Sequence, residues 1–102
     1  MLLKVTKSAA KQIRESAAEH EDLALRVAAT RNSDGGIGYR MGFDEIGADD
    51  VLLDAGGVDV VVARRDTTLL NGTVLDFVEI EPGRFDFIFM NPNDPGYQPP
   101  QS

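Results

Sequence analysis

The 102-residue chain contains no cysteine, and that absence excludes more chemistry than any residue present supplies. Disulfides, thiolate nucleophiles, Cys-rich zinc sites and Cys-ligated iron–sulfur clusters are all ruled out for the chain acting alone. There is one histidine, His20, so multi-histidine metal sites and any triad needing a second histidine are ruled out as well. Tryptophan is absent, and no apolar run reaches the roughly 18 residues of a membrane helix. The opening Met1-Leu2-Leu3-Lys4-Val5-Thr6-Lys7 lacks the long apolar stretch of a secretory signal, so a cytoplasmic location is expected.

What remains is ordinary for a folded domain. Apolar residues make up 42% and charged residues 26%, which fits one globular core and argues against a disordered chain. The net charge of −7 is uneven: residues 1–40 hold seven basic and five acidic side chains, residues 41–102 three and twelve. So acidic a chain repels phosphates, and direct nucleic-acid binding is not expected.

Hydrophobic periodicity predicts a mainly β, α+β fold. Leu2–Val5 reads as a strand, and Thr6 as the N-cap of a helix whose inward stripe is Ala9, Ala10, Ile13 and Ala17. Lys7 and Lys11 early in that helix, with Glu15, Glu19 and Glu21 late, run against its dipole. The period then becomes two: Leu23, Leu25 and Val27 form one alternating strand, and Tyr39, Met41 and Phe43 another. Between them lies the glycine-rich loop Arg31-Asn32-Ser33-Asp34-Gly35-Gly36-Ile37-Gly38. Val51–Leu53, Val58–Val62, Val74–Ile80 and Phe85–Phe89 complete the strands, with a short helix over Arg64–Leu70 stopped by Asn71-Gly72. Four of the five prolines fall after Met90, which predicts a domain over 1–90 and an irregular or flexible tail over 91–102.

Several features invite a functional reading, each beside a plainer one. The Asp34-Gly35-Gly36-Ile37-Gly38 loop could cradle a phosphate, but it lacks a P-loop ending and carries an aspartate that repels anions. Glu19, His20, Glu21 and Asp22 are neighbours that do not converge on a helix, so a solvated helix end is expected. Asp44-Glu45 and Asp49-Asp50-Asp54 lack EF-hand spacing and read as a solvated acidic face. Arg64-Arg65 reads as a solvated pair, and Phe85, Phe87 and Phe89 as core. The proline pairs in the tail could dock as an extended peptide. No catalytic constellation is present, so enzymatic activity is not expected.

Taken in order, the segments Thr6-Lys7-Ser8-Ala9-Ala10, Leu25-Arg26-Val27, the glycine loop closing on Tyr39, and Asp49-Asp50-Val51 form a recognisable series. Gly57-Val58-Asp59-Val60-Val61-Val62, Leu70-Asn71-Gly72-Thr73-Val74-Leu75-Asp76-Phe77-Val78 and Phe89-Met90-Asn91-Pro92-Asn93 continue it. Nearly the whole chain resembles the A-type iron–sulfur carriers, the IscA/SufA/HesB family. That resemblance implies a flattened β-sandwich with one N-terminal helix and one short helix, often assembled as dimers or tetramers. Family members bind iron or a cluster through three cysteines, one in the loop before the tyrosine and two in a C-terminal Cys-Gly-Cys. Counted on this chain, those positions fall on Asp34 and near Gln98 and Pro100, none of which is a thiol. The chain is most similar to cysteine-free members encoded beside bacterial sulfur-oxidation genes, which implies a supporting or regulatory role there. The resemblance therefore implies no cofactor, no metal ligands and an unidentified protein partner. Its candidate surface is Asp34, Gly35, Gly36, Tyr97 and Gln98, where the family ligands would stand. Loss of the ligands favours a monomer, and the alternative is an assembly factor that handles clusters only with a thiol-bearing partner.

Overall fold

Thr6 begins the first helix for a simple reason: its Oγ1 accepts a hydrogen bond from Ala9 N–H at 3.1 Å, satisfying a donor the helix leaves free. The computed structural model describes residues 2–94. A short strand, β1 (Leu3–Val5), leads into helix α1 (Lys7–Ala17). Ala9, Ala10 and Ile13 are buried as the stripe predicts, while Ala17 is only half-buried. Helix α1 stops at Ala17, so Glu19 and Glu21 lie in the turns beyond it, and Arg14 sits in the last turn. The conflict with the dipole is thus milder than expected, reduced to the two lysines and Glu15.

The chain then forms β2 (Ala24–Arg31), β3 (Ile37–Asp44), β4 (Asp50–Asp54) and β5 (Asp59–Ala63). A 3-10 turn over Arg64–Asp66 precedes helix α2 (Thr67–Leu70), so the expected single helix has two pitches. Gly72 at φ +81° turns the chain into β6 (Thr73–Glu81), which pairs with β7 (Arg84–Met90). Two sheets result, ordered β1-β6-β7 and β3-β2-β5-β4. β1 runs parallel to β6, β2 parallel to β5, and the remaining pairs are antiparallel. The body measures 36 × 36 × 23 Å, the flattened, mostly β architecture expected.

The core lies between the sheets. Leu3 and Leu75 from one meet Leu25, Val27, Val60 and Val62 from the other, with Ala9, Ile13 and Leu70 closing the ends. Tyr39, Met41 and Phe43 pack half-buried against it, alternating with exposed Arg40, Gly42 and Asp44. Two boundaries differ from the sequence reading. The β2–β3 hairpin zips up through Thr30↔Gly38 and Arg31↔Ile37, so Ile37 and Gly38 belong to a strand and the loop shrinks to 32–36. Phe85 is 55% exposed, not core: unlike Phe87 and Phe89 it is not packed against the buried cluster, and it rests on Phe77 at 5.8 Å instead.

Candidate functional site

Residues 32–36 form a loop that binds itself. Asn32 N–H donates to Gly36 O at 2.8 Å, and Gly35 N–H donates to Asn32 O at 3.0 Å. The Asp34 carboxylate turns inward on its own backbone, its Oδ1 accepting from Gly36 N–H at 2.9 Å. Arg31 Nη1 closes the turn on Gly35 O at 2.8 Å. Gly35 has φ +89°, a conformation that glycine adopts without the steric penalty of a side chain. Asp34, Gly35 and Gly36 are therefore brought together as expected, but as an Asx-type turn whose carboxylate already has a partner.

A second cluster forms where β7 ends. Asn91 is 1% exposed, and a buried amide needs its polar atoms matched. Its Nδ2 donates to Leu69 O at 2.7 Å, and its Oδ1 accepts from Asn93 N–H at 2.9 Å. Asn93 Nδ2 donates in turn to Asn71 O at 2.8 Å. The two asparagines thus clasp residues 91–93 to the turn between α2 and β6. From sequence Asn91-Pro92-Asn93 is part of the irregular tail, because no local pattern shows that carbonyls from residues 69 and 71 await its side chains.

Tyr39 links loop and clasp. Its ring stacks on Phe89 with centroids 4.3 Å apart and planes within 1°, joining the first strand after the loop to the strand before Asn91. Its hydroxyl is buried without a hydrogen-bond partner among the described residues. Burial raises the phenol above its ordinary value of 10.0. The Asn91 amide, near but outside hydrogen-bond geometry, opposes that shift, and the Asp94 charge adds to it. Gln98 and Pro100, near which the other two family ligand positions fall, and Tyr97 of the candidate partner surface lie outside the described residues, as does most of the expected tail.

The acidic segments hold a second feature the sequence reading missed. Arg26 Nη1 and Nη2 grip both oxygens of Asp50 at 2.7 and 2.6 Å, and its Nε meets Asp44 at 2.8 Å. The Asp50 side chain is 6% exposed, so this part of the presumed solvated acidic face is a desolvated ion pair. The guanidinium, followed by Gly47 N–H at 2.6 Å, holds the Asp50 carboxyl at about 2, well below its ordinary 3.8. Asp44 is lowered for the same first reason, its bond to Arg26, and Arg26 is raised, mainly by Asp50. Asp54 is spent on a turn, its Oδ1 accepting from Gly57 N–H at 3.0 Å. His20 lies beyond α1, exposed, with its ring stacked on Phe43 at 4.6 Å. Arg64 and Arg65 are exposed, Arg65 Nε lying 3.8 Å from Asp66.

Whether these residues suit iron or an iron–sulfur cluster is a question of donors. Such cargo takes soft thiolate ligands, with imidazole as the usual substitute. The chain has no thiol, its one imidazole faces Phe43, and the Asp34 Oδ1 is engaged in its own turn. Among the described residues no three His, Asp or Glu side chains converge as a metal site. The donor set does not fit the cargo.

A flattened two-sheet body with its hairpin loop and C-terminal clasp at these positions belongs to a known class. Residues 1–94 match the iron-sulphur cluster biosynthesis family, and the chain is a member of it. Among its relatives, the iron-sulfur cluster insertion protein ErpA 2 of Methylococcus capsulatus is 36% identical over 94 residues, covering 89% of this chain and 72% of that one. The SufA protein of Bacillus subtilis is 34% identical over 92 residues, covering 87% and 76%. The crystal structure of Escherichia coli SufA superposes with a TM-score of 0.76 at 30% identity, over 88% of this chain and 80% of SufA. The crystal structure of IscA with its [2Fe-2S] cluster gives 0.69 at 23% identity, over 88% and 82%, which speaks to the fold alone.

Proposed function

We propose that this chain is a family member that has given up cluster ligation and acts, without catalysis, by binding protein partners in the cytoplasm. The observation that carries this reading is the state of the ligand loop. The position that resemblance assigns to a cysteine is an aspartate whose oxygen is bonded to its own loop. The loop is ordered by its own hydrogen bonds, and the Tyr39–Phe89 stack and the asparagine clasp brace the body beside it. An ordered loop without a cluster ligand suits recognition by another protein, and Asp34, Gly35 and Gly36, with Tyr97 and Gln98, are the surface assigned to it. The resemblance drawn from the sequence to cysteine-free members extends the proposal to a supporting or regulatory role in bacterial sulfur oxidation.

The retained family fold favours one further reading, an assembly factor that handles clusters only beside a thiol-bearing partner. Anaerobic titration with ferrous iron and sulfide tests both. Alone, the chain is expected to develop no visible absorption that survives gel filtration. A stable brown species from the chain by itself defeats the proposal. Colour that appears only with an added cysteine-bearing scaffold protein supports the assembly reading instead.

A further inference from the structure

Asp66 stands at the head of α2, in the N-cap position, yet its side chain makes no capping hydrogen bond. That side chain is 9% exposed and has no hydrogen bond to any described residue. Its charged neighbour, Arg65 Nε at 3.8 Å, is beyond hydrogen-bond reach, and the Arg65 side chain is itself 85% exposed. Buried polar groups are hydrogen-bonded with few exceptions, and an ionised carboxylate has most to lose by going without. Asp66 is therefore an acceptor that awaits a donor.

It lines a cleft of about 500 Å³. Leu25, Val27 and Ala29 belong to the core, so Arg26 and Ala28, which share the cleft with Asp66, lie on the outer face of the four-stranded sheet. The cleft runs into a second one of about 300 Å³ over Gly42, with Arg26, Ala28 and Asp44 common to both. Gly42 supplies an independent observation. Glycine weakens a strand interior, yet here φ is not positive and an added Cβ meets nothing within 4 Å. The packing of the chain gives no reason for it. As the floor of a groove it has one, because a side chain there would fill the space.

Four aspartates and two arginines line the larger cleft. Arg26 is engaged by Asp44 and Asp50, while Asp49 is exposed and has no ion pair among the described residues. The balance is negative, which fits a cation. A metal ion is not that cation, since no three His, Asp or Glu side chains converge among the described residues. A guanidinium is. Its two parallel N–H groups match a carboxylate with both oxygens free of hydrogen bonds, and it sheds water more readily than an ammonium on entering a buried site. The adjoining groove over Ala28 and Gly42 has room for the backbone that carries such a side chain.

We propose that this cleft receives an arginine side chain of a partner protein, its guanidinium paired with Asp66 and the partner's backbone lying over Ala28 and Gly42. The inference rests on the reading that the chain works through protein partners, and it adds a surface separate from the Asp34 loop. The test probes this cleft alone, so its failure leaves the iron titration, and the reading that titration tests, untouched.

Isotope-labelled chain is titrated with an N-acetylated, amidated Ala-Ala-Arg-Ala-Ala peptide and followed by amide NMR shifts. Saturable shifts are expected at Asp66, Ala63, Ala28 and Gly42. Replacing the peptide's arginine by citrulline, its neutral isostere, is expected to weaken binding at least about tenfold. Asp66→Asn is expected to weaken the arginine peptide as much, with an unchanged circular dichroism spectrum. Gly42→Leu, placed where a Cβ has open space, is expected to weaken the peptide at least about threefold but ethylguanidinium, the same cation without a backbone, by less than about twofold. The absence of saturable shifts up to about 10 mM peptide overturns the proposal. Equal binding of the citrulline peptide, no effect of Asp66→Asn, or ethylguanidinium binding as tightly as the peptide also overturns it.

Discussion

Asn91 shows how much one side chain can carry. Its amide is buried, and it satisfies the Leu69 carbonyl and the Asn93 N–H from opposite ends. Asn91→Ala removes one of the two donors to Leu69 O, whose other is Asn93 Nδ2 at 3.3 Å, and the side-chain acceptor of the Asn93 N–H. With net hydrogen-bond contributions of about 0.5–1.5 kcal/mol each, urea unfolding is expected to show a loss of about 1–3 kcal/mol, while Asn93→Ala, at an exposed position, costs less. Tyr39 is the opposite case. Its hydroxyl is buried without a partner among the described residues, so Tyr39→Phe removes a desolvated group and keeps the ring on Phe89. Unfolding of that variant is expected to show stability unchanged or raised by up to about 1 kcal/mol; a loss above that range means the hydroxyl is bonded.

Among elements, the Arg26 cluster ties β2 to the end of β3 and the start of β4, strands that share no ladder with one another in the case of β3 and β4. The Asp50 carboxyl is held at about 2 in the folded chain against an ordinary 3.8. A depressed folded value means that the pair's contribution to stability is fully present above the unfolded value and is lost as pH falls through the folded one. Between pH 4 and about 2 the native chain is thus expected to lose denaturant resistance more steeply than Asp50→Asn, whose amide does not titrate. Parallel slopes in that window contradict the assignment. In the sequence these acidic residues stand beside turns and read as a solvated face. Nothing local says that Arg26, eighteen and twenty-four positions away, lies between them.

On the scale of the molecule, two sheets share one core, and the Tyr39–Phe89 stack joins their edges. Core residues from both sheets are fully buried against each other, so neither sheet has an apolar interior of its own to hold it together. Urea unfolding followed by far-ultraviolet circular dichroism and by tyrosine fluorescence is expected to give one coincident transition. Phe89→Ala, which strips the stack and part of the core contact, is expected to lower that transition by about 2–4 kcal/mol without splitting it. Two separate transitions would show that the sheets fold apart.

What the chain's order of residues settles is periodicity and chemistry. Alternation in Leu25–Val27, Tyr39–Phe43 and Phe85–Phe89, and the four-residue stripe after Thr6, announce strands and a helix because side chains repeat every two or 3.6 residues. The missing thiols settle what cargo the chain cannot hold alone, since donor type belongs to the residue and not to its surroundings. Which sheet each strand joins, where Phe85 runs out of cover, that Asp50 meets Arg26 and that Asn91 finds two distant groups were decided only in three dimensions. Those contacts depend on segments far apart in the chain, and desolvation, which gives each its weight, exists only once the two sheets have closed on each other.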